Sequence, residues 1–240
     1  MFSVTDLRCE YQHNPIGIGE KHPRLSWKLV SDERAVSQTA YEIEVSNDNN
    51  FANPLWTSGK VASSQSVHVE LSEWSVSSCK RYTYRVRVWN QVGDVSEWSD
   101  TACWETGKLQ GEKWVGKWIS APRSLLPADS AHLPLLRKSF SLKSPIAKAR
   151  IYASALGLYE LELNGHRVGD CYFTPGWTSY EHTIQTQSYD VTDMLNTGLN
   201  AIGAWLGNGW YKGQLGWEER SSIYGDRLAL LLELHITYAD

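Results

Sequence analysis

A chain of 240 residues and 27.2 kDa, 42% hydrophobic and 21% charged, has the size of one large β domain or two ordinary ones and the composition of a globular protein. A net charge of −4, a pI near 6.0 and the lack of any Lys/Arg stripe argue against nucleic acid or anionic membrane as partners. No apolar run approaches the ~18 residues of a membrane helix, and MFSVTDLRCEYQHNP lacks the basic and apolar regions of a secretion signal, so a cytoplasmic location is expected.

Short alternating segments dominate the first 108 residues. Arg24–Val30 (RLSWKLV), Ala40–Ser46 (AYEIEVS), Gln65–Leu71 (QSVHVEL) and Tyr82–Asn90 (YTYRVRVWN) each read as strands of period two. Turn-forming NDNNFANP and NQVGD lie between strands, and no long amphipathic helix is evident. Residues 1–108 are therefore expected to form a β-sandwich. Cys9, Cys79, Cys103 and Cys171 are scattered without a CxxC pair and are expected to stay reduced. Twelve Trp is a large number for this length, and means either aromatic-filled β cores or stacking surfaces.

Tyr82 to Ser99 (YTYRVRVWNQVGDVSEWS) resembles the last hairpin of a fibronectin type III domain, with Tyr84, Val86 and Val88 facing in and Arg85 and Arg87 facing out. Tyr82 or Tyr84 would supply the tyrosine corner. SEWS (Ser96–Ser99) resembles half of the WSxWS element of cytokine-receptor domains, which implies that Trp98 packs over Arg85 and Arg87 in a structural role.

Residues 109–240 continue the same grammar. A strand-like WVGKWISA and a Pro-containing loop come first, followed by LRKSFSL, ARIYASALGLYELELNG, SYDVTDMLNTGLNAIGAWLG and RLALLLELHITYAD. In the last of these Leu228, Leu230, Leu232, Leu234 and Ile236 alternate cleanly. The expected fold is all-β, a type III-like sandwich followed by a jelly roll. The final strand pattern runs to the end of the sequence where a jelly roll would ordinarily continue, so an incomplete jelly roll is expected.

Catalytic chemistry finds little purchase. Glu160 and Glu162 lie two apart on one strand face, about 7 Å from each other, and read as a solvated face rather than a pair flanking a sugar bond. Glu218 and Glu219 are adjacent and diverge. The seven His (His13, His22, His68, His132, His166, His182, His235) show neither HxH nor HExxH spacing, so no metal centre is expected. No GxSxG elbow and no phosphate-cradling loop occurs. Calcium is the one cofactor considered, through loop residues Asn164, Asp170 and Asn208, although Asn164-Gly165 reads first as a type I′ hairpin turn.

The stretch from Gly203 to Trp217 (GAWLGNGWYKGQLGW) holds three Trp, one Tyr and five Gly in fifteen residues. Sugar sites use flat aromatic faces against apolar C–H faces, with Asn, Asp or backbone groups reading the hydroxyls. Gly209 and Gly213 would let the backbone bend between Trp210, Tyr211 and Trp217, with Asn208 alongside. Trp177, in its own turn-rich loop (TPGWTSY), would approach the same rim, whereas Trp205 reads as core. The candidate carbohydrate-binding residues are thus Trp177, Asn208, Trp210, Tyr211 and Trp217. The same stretch also reads as a packed Gly/Trp corner without a ligand.

From Ala149 onward the sequence resembles the N-terminal accessory domain of bacterial α-L-rhamnosidases. The matching pieces are ARIYASALGLYELELNGHRVGD, FTPGWTSY (Phe173–Tyr180), YDVTDMLNTGLNAIGAWLGNGWYKG and the closing apolar strand. RLSWKLVS, QTAYEIEVS and the WVGKW segment before ISAP fit the type III-like domain of the same enzymes. The resemblance implies a longer parent with a C-terminal (α/α)6 barrel that carries the general acid and base of an inverting glycosidase, to which nothing in this sequence corresponds. It further implies a substrate-recognition and scaffolding role, with rhamnose-containing saccharides or glycosides and that barrel as partners, the Gly203–Trp217 stretch either packing on the barrel and lining its substrate entrance or binding sugar itself, and no hydrolysis by this chain alone. A free-standing carbohydrate-binding module and a fibronectin-type protein-interaction module are the alternatives.

Overall fold

The computed structural model describes residues 2–71, 73–125, 133–218 and 220–239. His132 and Glu219, weighed above, lie outside the described residues. The chain divides into two compact units, Met1–Glu112 and Lys113–Asp240, and no helix among the described residues is long and apolar enough to cross a membrane.

The first unit is a two-sheet sandwich. One sheet has the order β1 (Phe2–Cys9), β2 (Arg24–Ser31), β5 (Val69–Glu70). The other has the order β4 (Trp56–Thr57), β3 (Gln38–Ser46), β6 (Arg81–Asn90), β7 (Ala102–Glu105), and every pairing is antiparallel. Alternation along β6 buries Tyr84, Val86 and Val88 beside Leu25, Ile43, Val45 and Trp104. The Tyr82 hydroxyl accepts the Ser77 N–H at 2.8 Å, which is the work of a tyrosine corner. Arg85 and Arg87 face outward opposite Glu44 and Glu42, and Trp98 lies 4.5 and 4.6 Å from their guanidinium carbons, as the SEWS resemblance implies.

Gln65–Leu71 departs from the expected strand: only Val69–Glu70 pairs. His68 sits at φ 53°, outside the extended region, and the Gln65 side-chain amide donates to the carbonyls of Val67 and His68, drawing the backbone out of the ladder.

The second unit is also a two-sheet antiparallel sandwich. The sheets have the orders β11 (His166–Arg167), β10 (Leu158–Leu163), β13 (Gly198–Gly207), β8 (Leu135–Leu142), and β12 (Gln187–Asp190), β9 (Ile146–Leu156), β14 (Ala229–Tyr238). Between them lie Ile151, Ala153, Ala155, Tyr159, Leu161, Leu163, Ala204, Leu206, Leu228 and Leu230.

WVGKWISA is a strap over the outer side of β14 rather than the expected strand. Glu233, buried at the centre of β14, accepts the N–H groups of Val115 (2.5 Å) and Gly116 (3.0 Å), and Ile119 exchanges two backbone hydrogen bonds of 2.8 Å with Leu230. A Cβ on Gly116 would lie 3.0 Å from the Leu232 carbonyl oxygen, so glycine permits the close pass.

Candidate carbohydrate site

Strand β13 ends at Gly207, and the chain turns at once into α1 (Gly209–Lys212), a single helical turn where the sequence suggests a loop. Glycine at both ends makes the turn possible. Gly209 has φ 48°, and a Cβ there would fall 2.5 Å from Leu158 Cγ. Gly213 closes the turn by donating its N–H to the Gly209 carbonyl at 3.0 Å, where a Cβ would meet that same oxygen at 2.2 Å. Consecutive residues on one helical turn diverge, so Trp210 and Tyr211 part company. Tyr211 turns inward, edge-on to Tyr180 at 5.2 Å with its hydroxyl over Gly225. Trp210 turns to the rim.

At the rim Trp210 meets Trp177. Their ring centroids lie 5.8 Å apart and their planes differ by 4°, and Phe173 stands edge-on to Trp210 at 6.1 Å. The loop that presents Phe173 and Trp177 is stitched to β10. Tyr159 donates its N–H to the Thr174 carbonyl (2.9 Å) and accepts the Thr174 hydroxyl proton at its own carbonyl (2.6 Å). Gln187 Nε2 donates to the Pro175 carbonyl (3.1 Å), and the Tyr180 hydroxyl to that of Gly176 (3.1 Å). Beneath, the Tyr159 hydroxyl donates to Gln187 Oε1 at 2.8 Å and lies 3.0 Å from the Tyr189 hydroxyl. Burial pushes both phenols above the usual tyrosine range, so this network is neutral and serves as scaffolding. Trp177 on this fixed loop and Trp210 on α1 thus form a nearly parallel, stacked pair of indoles, an apolar aromatic surface at the rim.

Of the five residues expected to form the site, Trp177 and Trp210 come together and Tyr211 belongs to the packing behind them. Asn208 is exposed beside α1, its carbonyl accepting the Lys212 N–H at 3.1 Å. Trp217 stands apart and fully exposed near a small turn closed by the Leu215 N–H on the Arg220 carbonyl (2.8 Å) and a Glu218–Arg220 ion pair (2.5 Å).

Trp205 is a correction. Alternation along β13 sends Ala204 and Leu206 into the core, so Trp205 points outward and is 54% exposed. Tyr172, Phe173 and Trp205 are the aromatic residues that sequence reasoning missed. The alternation of β13 was signal enough for Trp205, while Tyr172 and Phe173 lie in a loop without a period.

The remaining candidates are accounted for within the fold. Asn164 and Gly165 have φ of 54° and 81° in the two-residue turn between β10 and β11. The Asn164 amide nitrogen donates to the Met194 carbonyl and to Asn200 Oδ1, both at 2.8 Å, and its oxygen accepts the Ala201 N–H at 2.9 Å. Among the described residues no group of three or more His, Cys, Asp and Glu could hold a metal ion. Glu160 and Glu162 both face outward, and Glu160 lies 3.6 Å from Arg167.

Residues 4–110 match the Rha78A-like N-terminal immunoglobulin domain, and residues 144–240 match the α-L-rhamnosidase N-terminal domain. An α-L-rhamnosidase of Formosa agariphila is 36% identical over 236 residues, covering 95% of this chain and 26% of the relative. The crystal structure of the Streptomyces avermitilis α-L-rhamnosidase complexed with L-rhamnose superposes with a TM-score of 0.91 at 26% identity, over 100% of this chain and 40% of that one. The Aspergillus terreus α-L-rhamnosidase superposes with a TM-score of 0.81 at 35% identity, over 100% of this chain and 28% of that one. The chain thus spans well under half the length of each.

Proposed function

Because its two units belong to these two domain families, the chain is an N-terminal region of the α-L-rhamnosidase family, and we propose that it serves as the substrate-recognition and scaffolding part of such an enzyme. The whole protein would hydrolyse terminal α-L-rhamnosyl groups of glycosides or oligosaccharides, with the general acid and base on a C-terminal barrel. The nearly parallel Trp177–Trp210 pair carries this reading. Rhamnose, a 6-deoxy sugar, presents a methyl group and a C–H face that an indole platform can cover, and the exposed Asn208 beside α1 offers an amide to its hydroxyls.

Isothermal titration of the 240-residue chain with L-rhamnose tests it. The expected Kd is on the order of 1 mM, equivalent to about −4 kcal/mol, and no heat is expected from Trp210→Ala. Parallel titrations with calcium and with a chelator would read any contribution from Asp170 and Asn208 separately. Equal binding by wild type and Trp210→Ala would remove the platform from the account. Contact with the barrel is a second reading, favoured by Trp217, whose side chain is fully exposed; a large apolar group of that kind is the usual anchor of a protein contact.

A further inference from the structure

Beside the Trp pair, on the outward face of the β11-β10-β13-β8 sheet, lies a cleft of about 280 Å³. Trp205 forms its floor, with Leu135 of β8 and Glu160 of β10 directly across from it in register. Leu158, Tyr172 and Phe173 form the walls. We propose that this cleft binds the flat aromatic aglycone of an aryl rhamnoside whose sugar lies against Trp177 and Trp210, an inference that rests on the carbohydrate reading of that pair.

Four observations carry it. The cleft and the platform are continuous, because Phe173 lines the one and stands edge-on to Trp210 in the other. The lining is aromatic and aliphatic apart from Glu160, whose carboxylate is drawn to Arg167 at 3.6 Å. A second sugar ring would bury several hydroxyls with little to accept or donate, at about 1–3 kcal/mol each, whereas an aryl ring asks for none. The wall is preorganised. Arg167 lies 4.1 Å from the Tyr172 ring centre, donates to the Cys171 carbonyl at 2.7 Å and pairs with Glu160, so Tyr172 is held in place before any ligand arrives. Finally, Gly207 borders the cleft two residues from Trp205 on the same strand face. A Cβ there would meet only Leu158 Cβ at 3.7 Å, an ordinary contact, so packing does not demand glycine and its effect is to keep the floor open. The volume suits one or two rings, below the usual range for drug-sized ligands.

The test is titration of the 240-residue chain with methyl α-L-rhamnopyranoside, 4-nitrophenyl α-L-rhamnopyranoside and 4-nitrophenyl β-D-glucopyranoside. The aryl rhamnoside is expected to bind about tenfold more tightly than the methyl rhamnoside. That advantage should fall below about twofold in Trp205→Ala and, independently, in Gly207→Val, with the methyl rhamnoside affinity unchanged. Equal affinities for the two rhamnosides in the wild type, or an aryl advantage that survives both substitutions, overturns the cleft and leaves the platform standing. If both nitrophenyl glycosides bind through Trp205 while methyl rhamnoside does not bind, the carbohydrate reading fails and the rhamnoside proposal with it, leaving a cleft for the aromatic ring alone. Silence from all three probes overturns both.

Discussion

Trp98 lies between two guanidinium groups that are themselves tied down. Arg85 pairs with Glu44 and Arg87 with Glu42, each at 2.7 Å, and Arg85 also lies 4.5 Å from the Phe51 ring centre. The ion pairs are partly exposed and contribute little individually. Each cation–π contact contributes roughly 0.5–1 kcal/mol, and Trp98 makes two of them. Trp98→Ala is therefore expected to lower the stability of the first unit by about 1–2 kcal/mol, and Trp98→Phe by less, as read from urea unfolding. No loss in Trp98→Ala would mean that the ladder is held by its carboxylates alone.

Among the elements, the β10–β11 hairpin is fixed by more than its turn. Asn164 satisfies a positive φ, as its Asn-Gly sequence suggests, but its side chain also joins the hairpin to the carbonyl of Met194, to buried Asn200 and to the β13 backbone at Ala201. Glycine accepts the backbone angle and lacks the amide. Asn164→Gly is accordingly expected to cost about 2 kcal/mol, whereas a pure turn residue would tolerate glycine with no loss; thermal unfolding of the variant decides between them. Strands that alternate and bury one face were legible: β2, β3, β6 and β14 fall where their periods put them. Gln65–Leu71 and Trp114–Ala121 alternate as well, yet a local hydrogen bond from Gln65 in one case and a distant buried carboxylate, Glu233, in the other took the backbone elsewhere. No local pattern encodes that competition. At the site, composition marked a Gly/Trp-rich rim, but only the helical turn at Gly209–Lys212 decides that Trp210 meets Trp177 while Tyr211 packs inward.

On the scale of the whole chain, the question is whether recognition and bond cleavage reside together. Inverting hydrolysis needs two carboxyl groups on opposite sides of one glycosidic bond, about 6.5–9.5 Å apart with room for water. Glu160 and Glu162 project from the same outward face of β10, so they lie side by side rather than across a substrate, and Glu160 is drawn to Arg167. The buried carboxylates are committed to structure: Glu233 holds the strap residues Val115 and Gly116 and lies 2.8 Å from His235 Nε2, and Glu105 lies 3.6 Å from Arg81. The 240-residue chain is therefore expected to release 4-nitrophenol from 4-nitrophenyl α-L-rhamnoside no faster than its Glu160→Gln, Glu162→Gln double variant, at the uncatalysed rate, even at concentrations where it binds the ligand. Release above that rate which the double substitution removes would place chemistry on β10, where Glu160 borders the aromatic cleft, and the proposed division of labour between this region and a catalytic barrel would have to be abandoned.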